Sequence, residues 1–184
     1  VADIIDNSIA AGAKNVDIFF FPVDGAYVAI LDNGNGMGTE ELNSAMQYGS
    51  KNPIDARDAK DLGRFGLGLK TASLSQCRCL TVVTKQGDRI EGRQWDVDHV
   101  TETGSWSLIV LEAEEFENIP NINELRAYES GTLVVWQKLD RLKAGEINFD
   151  QALGRKIDGV REHLSLVFHR YLSGERGITK MKIS

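Results

Sequence analysis

The stretch that most constrains this chain is Asp32-Asn33-Gly34-Asn35-Gly36-Met37-Gly38. It runs straight on from Tyr27 to Leu31, an apolar run that reads as a strand. Val16 to Phe21 reads as its partner, with Asp24-Gly25 as a hairpin turn signal between them. Glycine permits unusual dihedrals and close approach of the backbone to a ligand. A buried carboxylate at Asp32 can accept a hydrogen bond from an exocyclic amine, such as the N6 of adenine. The plainer alternative is a glycine-rich turn capped by that Asp.

A helix is predicted ahead of this hairpin. Val1, Ile4, Ile5, Ser8 and Ile9 fall on one face, and Asp3, Asp6, Asn7 and Ala10 on the other, with Gly12 placed to end it. Asp3 and Asn7 are four residues apart and share a face. An amide oxygen is a good neutral ligand for magnesium. A carboxylate one turn away can hold a water against a phosphate or take its proton. A solvated helix face is the other reading of the same pair.

Downstream, Thr39 is predicted to cap a helix that ends near Gly49, with Glu40 and Glu41 in its first turn. Residues 50–62 are polar and irregular. Gly63-Arg64-Phe65-Gly66-Leu67-Gly68-Leu69-Lys70 then leads into a short helix. Free N–H groups at a helix start form an anion site, glycines let a phosphate come close, and Lys70 can add a point charge. The spacing is not that of a P-loop, and no strand precedes it as a dinucleotide fingerprint requires. Strands are predicted at Leu80 to Lys85, Arg89 to Asp96, Trp106 to Leu111 and Thr132 to Lys138, with Glu112 to Ser130 as acidic loop. Gly131-Thr132 opens the last of these. Its hydroxyl can bind a base or a water, although such a pair is common. A final helix carries Leu153, Ile157, Val160, Leu164, Val167, Phe168 and Tyr171 at three- and four-residue steps. Together these elements suggest an α+β sandwich, with helices packed on a mostly antiparallel sheet.

Composition removes several function classes. The 184 residues suit one domain, and the formal charge of −6 argues against a broad nucleic-acid surface. Cys77 and Cys79 lack a surrounding Cys/His cluster and are expected to be reduced and structural. No apolar run approaches membrane-spanning length and no signal peptide is visible, so an intracellular location is expected, cytoplasmic or, in a eukaryote, nuclear. His99, His163 and His169 are expected to be structural or at the surface, and Trp95, Trp106 and Trp136 to lie in the core.

The four signals occur in one order, and that order carries a resemblance. Asp3-Ile4-Ile5-Asp6-Asn7-Ser8 with Ala11-Gly12-Ala13 resembles the N-box of GHKL (Bergerat-fold) ATPases. Asp32 to Met37 resembles their first glycine box, Gly63 to Lys70 the second, and Gly131-Thr132 the final threonine motif. Within the superfamily the likeness is greatest to MORC-type and mismatch-repair-type ATPases and related bacterial ATP-binding proteins. The resemblance implies a two-layer α/β sandwich, with helices on one face of a mixed, mostly antiparallel sheet. Residues 1–177 would form the ATP-binding domain, truncated at its N-terminus, and residues 178–184 the start of a following domain or a linker.

It also implies roles by position. Asn7 would coordinate magnesium, and Asp32 would bind the adenine amine. Gly34, Gly36 and Met37 would shape the base pocket. Gly63, Gly66, Gly68, Leu69 and Lys70 would surround the phosphates, under a lid formed by residues 50–62. Thr132 would support Asp32 and its water. Asp3 stands where the family usually carries a catalytic Glu, one methylene shorter. The implied activity is slow, weak hydrolysis of Mg-ATP, with lid closure and an ATP-dependent homodimer in a longer protein. Nucleic acid would be handled only through regions outside this chain. Two readings compete with it: an ATP-binding sensor without turnover, and a histidine-kinase-type catalytic domain.

Overall fold

The computed structural model describes residues 1–23, 25–47, 68–140, 149–175 and 178–184. The first helix, α1 (Ala2–Ala10), buries Ile4, Ile5 and Ser8 and leaves Asp3 and Asn7 exposed. It ends as its sequence requires. Gly12 takes φ +75, a conformation costly for residues with a Cβ, and its N–H bonds back to the Ile9 carbonyl at 2.9 Å.

The chain then forms β1 (Asn15–Phe21) and β2 (Tyr27–Asp32), paired antiparallel with Val16 opposite Asp32. Next come α2 (Thr39–Met46), α3 (Gly68–Leu74), β3 (Cys79–Gln86), β4 (Arg89–Asp96), α4 (Val97–Thr103) and β5 (Ile109–Leu111). A 3-10 helix (Ala113–Asn118), α5 (Ile122–Arg126) and β6 (Ser130–Gln137) follow. The chain closes with α6 (Phe149–Val167), α7 (His169–Ser173) and β7 (Lys182–Ile183).

The described strands form one seven-stranded sheet in the order β5-β4-β3-β6-β2-β1-β7. Each pairing is antiparallel except β1 with β7. The crossover that sets β6 between β2 and β3 brings the ends of three strands distant in sequence to one rim. Alternation along the strands divides the core in two. Val28, Ile30, Val82 and Val134 face the layer of α1, α2, α3 and α6, where Ile5, Leu42, Met46, Leu74 and Leu164 pack on them. Ala29, Leu31, Val83, Leu133 and Val135 face the opposite way.

That opposite face holds the main departure from the predicted elements. Glu112 to Ser130, predicted as loop, contains the 3-10 helix and α5. Phe116, Ile119, Ile122 and Leu125 recur every three residues and lie on Leu31, Leu133 and Val135. Their acidic neighbours, which obscure this stripe in the composition, face solvent. Glu112 and Glu115 form a capping box at the start, the Glu115 carboxylate accepting the Glu112 N–H at 2.8 Å.

Smaller corrections have local causes. Gly38 rather than Thr39 occupies the cap of α2; Thr39 is the first helical residue, and its hydroxyl donates to Glu91 Oε1 at 2.6 Å. α4 was not expected; the Asp96 carboxylate starts it by accepting the Asp98 N–H. Trp106 precedes β5 and is 67% exposed, its ring tilted against Trp95 at 5.5 Å, whereas Trp95 and Trp136 are core residues. Val167 is exposed at the end of α6. Lys182–Ile183 pairs with β1 at the edge of this sheet. Cys77 and Cys79 are buried and unbridged, and burial first, then the charge of Asp96, pushes the Cys79 thiol up to about 11. Among the described residues no helix is long and apolar enough to cross a membrane.

Candidate functional site

The site assembles where β2 ends. Asp32 lies opposite Thr132 on β6, Thr132 opposite Thr84 on β3, and Thr84 opposite Glu91 on β4. Directly opposed residues share a face, so this is a polar row crossing the sheet on the face that packs against α1. Asp32 is 6% exposed. Its Oδ1 accepts the Gly34 N–H at 2.9 Å, and its Oδ2 accepts the Ser8 hydroxyl at 2.9 Å. Burial raises the Asp32 carboxyl above its ordinary range; bonds from Gly34, Ser8 and the Thr132 backbone offset part of that rise. An ionised carboxylate has about four acceptor positions, so this one keeps capacity for a further donor.

The loop after Asp32 is held at nearly every residue. The Asn33 side-chain oxygen accepts the Lys14 and Asn15 N–H groups at 2.9 and 2.8 Å. The Gly34 carbonyl accepts the Ser130 hydroxyl at 2.7 Å. Asn35 N–H donates to the Ala11 carbonyl at 2.9 Å, and its own carbonyl accepts Gln86 Nε2 at 3.1 Å. Met37 N–H donates to Thr84 Oγ1 at 2.6 Å. Glycine is obligatory at Gly36, where φ is +66 and a Cβ would fall 2.2 Å from the Lys85 carbonyl oxygen. The shape of the loop is therefore set by contacts within the protein.

Because Asn35 and Ser8 tie this loop to α1, the exposed face of that helix borders it. Asp3 and Asn7 lie on that face, as their spacing predicts. Asp6, half-buried beside them, has its carboxyl raised by burial and then by the negative charge of Asp3. Among the described residues no group of three or more His, Cys, Asp or Glu could hold a metal ion. The exposed face of α1 offers the Asn7 amide oxygen, a neutral donor of the kind a hard cation accepts.

On the phosphate side, Gly63 and Gly66 lie outside the described residues, as do residues 50–62. Gly68 and Leu69 open α3. Lys70 is fully buried, its ammonium donates to the Gln47 carbonyl, and burial lowers its pKa. With Trp95 Nε1 on the Met46 carbonyl at 2.8 Å, the end of α2 has both of its last carbonyls met by side chains. Sequence reading gave no role to Ser8 as an Asp32 partner, nor any to Thr84 or Ser130. The available signal for Thr84 was a hydroxyl on the inward alternation Leu80, Val82, Thr84 of a strand whose other inward residues are apolar.

Comparison with known proteins identifies the family of this sequence. The family model described as histidine kinase-, DNA gyrase B- and HSP90-like ATPase matches residues 1–132, which takes in the helix, the glycine loop and Thr132. The chain belongs to this family, the GHKL ATPases. The DNA mismatch repair protein MutL of Shewanella sediminis is 30% identical over 96 residues, covering 51% of this chain and 15% of that protein. ATPase morc-1 of Caenorhabditis elegans is 31% identical over 87 residues, covering 47% of this chain and 10% of that protein. The chain therefore spans well under a quarter of either relative's length. Among solved structures, the Aquifex aeolicus MutL ATPase domain complexed with ADP aligns with 88% of this chain and 52% of its own, at 14% identity and a TM-score of 0.46.

Proposed function

We propose that this domain binds Mg-ATP, with adenine read by Asp32, and hydrolyses it slowly. The observation that carries the reading is the Asp32 carboxylate, buried yet provided with fixed donors from Ser8 and Gly34 and with acceptor capacity to spare. A carboxylate is costly to bury. Its placement at a loop rigid enough to position a flat base, in a chain of this ATPase family, supports adenine-amine recognition. Gly34, Gly36 and Met37 shape the base side, and Thr132 supports Asp32 through its backbone N–H.

Asn7 holds the magnesium that accompanies the phosphates, and that ion would supply charge neutralisation. Asp3, one turn earlier on the same face, accepts the proton of the attacking water. Gly63, Gly66, Gly68, Leu69 and Lys70 surround the phosphates. For Lys70 this requires its ammonium to leave the Gln47 carbonyl. Closure of residues 50–62 and dimerisation in a longer protein belong to the same reading, as does likeness in action to MORC-type ATPases. A binding module without turnover is the second reading; it is favoured by Asp3, whose carboxylate is one methylene shorter than the family's usual Glu.

Fluorescence titration with an ATP analogue, with magnesium and with EDTA, tests this on wild type and Asn7→Ala. Wild type should bind more tightly with magnesium, and Asn7→Ala should lose that difference. Absence of saturable binding by wild type contradicts the proposal.

A further inference from the structure

A residue from outside the recognised motifs joins two of them. Thr84 lies on β3, between the glycine loop and the start of β6. Its Oγ1 accepts the Met37 N–H at 2.6 Å and donates to the Gly131 carbonyl at 3.3 Å. Both hydrogen-bonding functions of one hydroxyl are thereby used within a site where Thr84 is 1% exposed. Next to it, Gly36 presses against the Lys85 carbonyl, so the loop touches β3 at two consecutive strand residues. On the other side, Gly131 lies so close to β2 that an added Cβ would meet the Asp32 carbonyl oxygen at 2.2 Å.

We infer that Thr84 is a positioning residue for base recognition, fixing the glycine loop and the Gly131-Thr132 start of β6 at one mutual distance so that the Asp32 carboxylate and the loop backbone address the base together. This inference rests on the adenine reading of Asp32. The argument is geometric. Asp32 and Met37 bracket the loop; Asp32 is held from the α1 side by Ser8, and Met37 from the sheet side by Thr84. Without the second hold, the loop keeps Gly36 against Lys85 by shape alone, and the Met37 N–H loses its partner inside the protein. Valine has the shape of threonine but neither donor nor acceptor, so Thr84→Val removes both bonds with little change in volume. Serine keeps both.

The test compares ADP with IDP, which lacks the amine that Asp32 would read, by calorimetry on wild type, Thr84→Val and Thr84→Ser. Exchange of the Met37 amide is followed in the absence of ligand. Wild type should prefer ADP. Thr84→Val should bind ADP about tenfold more weakly, the loss expected for one buried hydrogen bond, and should lose most of its preference over IDP. Thr84→Ser should restore both. A merely structural role would weaken ADP and IDP alike and leave their ratio unchanged, which overturns the inference. If Thr84→Val does not fold, Thr84→Ala replaces it under the same criteria. If wild type binds neither nucleotide, the adenine reading fails. The Met37 amide then decides the contact alone: exchange no faster in the variant than in wild type overturns it.

Discussion

Ser8 on α1 donates its hydroxyl hydrogen to Asp32 Oδ2 at 2.9 Å, and Ser8 Oγ also lies 3.1 Å from the Ile4 carbonyl within its own helix. The hydroxyl therefore has two acceptors in reach and one hydrogen to give. This contact fastens the helix carrying Asn7 to the strand end carrying Asp32. Ser8→Ala should lower unfolding free energy by about 1 kcal/mol and weaken ADP binding about tenfold. Urea titration and calorimetry check the two numbers; unchanged affinity would detach Ser8 from the site.

Asp32 itself gives a pH prediction. Its carboxyl is raised in the folded protein, first by burial, from an ordinary value of 3.8. Between that value and the raised one, the folded state holds a proton that the unfolded chain has released. Stability from this group is therefore complete below 3.8 and is lost as pH rises through the folded value. Asparagine does not titrate. Asp32→Asn without ligand should gain stability relative to wild type as pH rises from 3.8 through the raised folded value. A relative stability that falls or stays flat over that rise contradicts a carboxyl raised by burial.

Gly36→Ala should unfold more easily by roughly 2–4 kcal/mol, because it combines positive φ with a backbone collision that no rotamer relieves. Gly87 has φ +59 but nothing near its missing Cβ, so Gly87→Ala should cost less, about 1 kcal/mol. Thermal melts of the pair separate strain from collision; equal losses would mean that contact with Lys85 contributes little.

Asp3→Glu addresses turnover. Lengthening the carboxylate on the exposed face of α1 should raise phosphate release severalfold while leaving the ADP dissociation constant unchanged. A rate that does not move assigns the base elsewhere and favours the module without hydrolysis.

Much of this site was legible in the sequence because its parts are local. Asp3 and Asn7 fall on one exposed face by helical arithmetic, and Asp32 ends a strand because an apolar run meets glycines there. The parts that were not legible depend on partners far along the chain. Thr84 lies 47 residues from Met37 and becomes its partner only after β6 is inserted between β2 and β3. The 3-10 helix and α5 were hidden because a three-residue stripe of Phe116, Ile119, Ile122 and Leu125 is embedded in acidic sequence. Trp106 is expected inside because it falls in a strand candidate; it precedes β5, is exposed and leans on Trp95.

The central claim is adenine recognition by a buried carboxylate, and calorimetric titration of a non-hydrolysable ATP analogue with magnesium tests it most directly, on wild type and Asp32→Asn. The account predicts saturable binding by wild type and none by the variant, with both folded. Equal binding by the two proteins, or none by wild type, would contradict it.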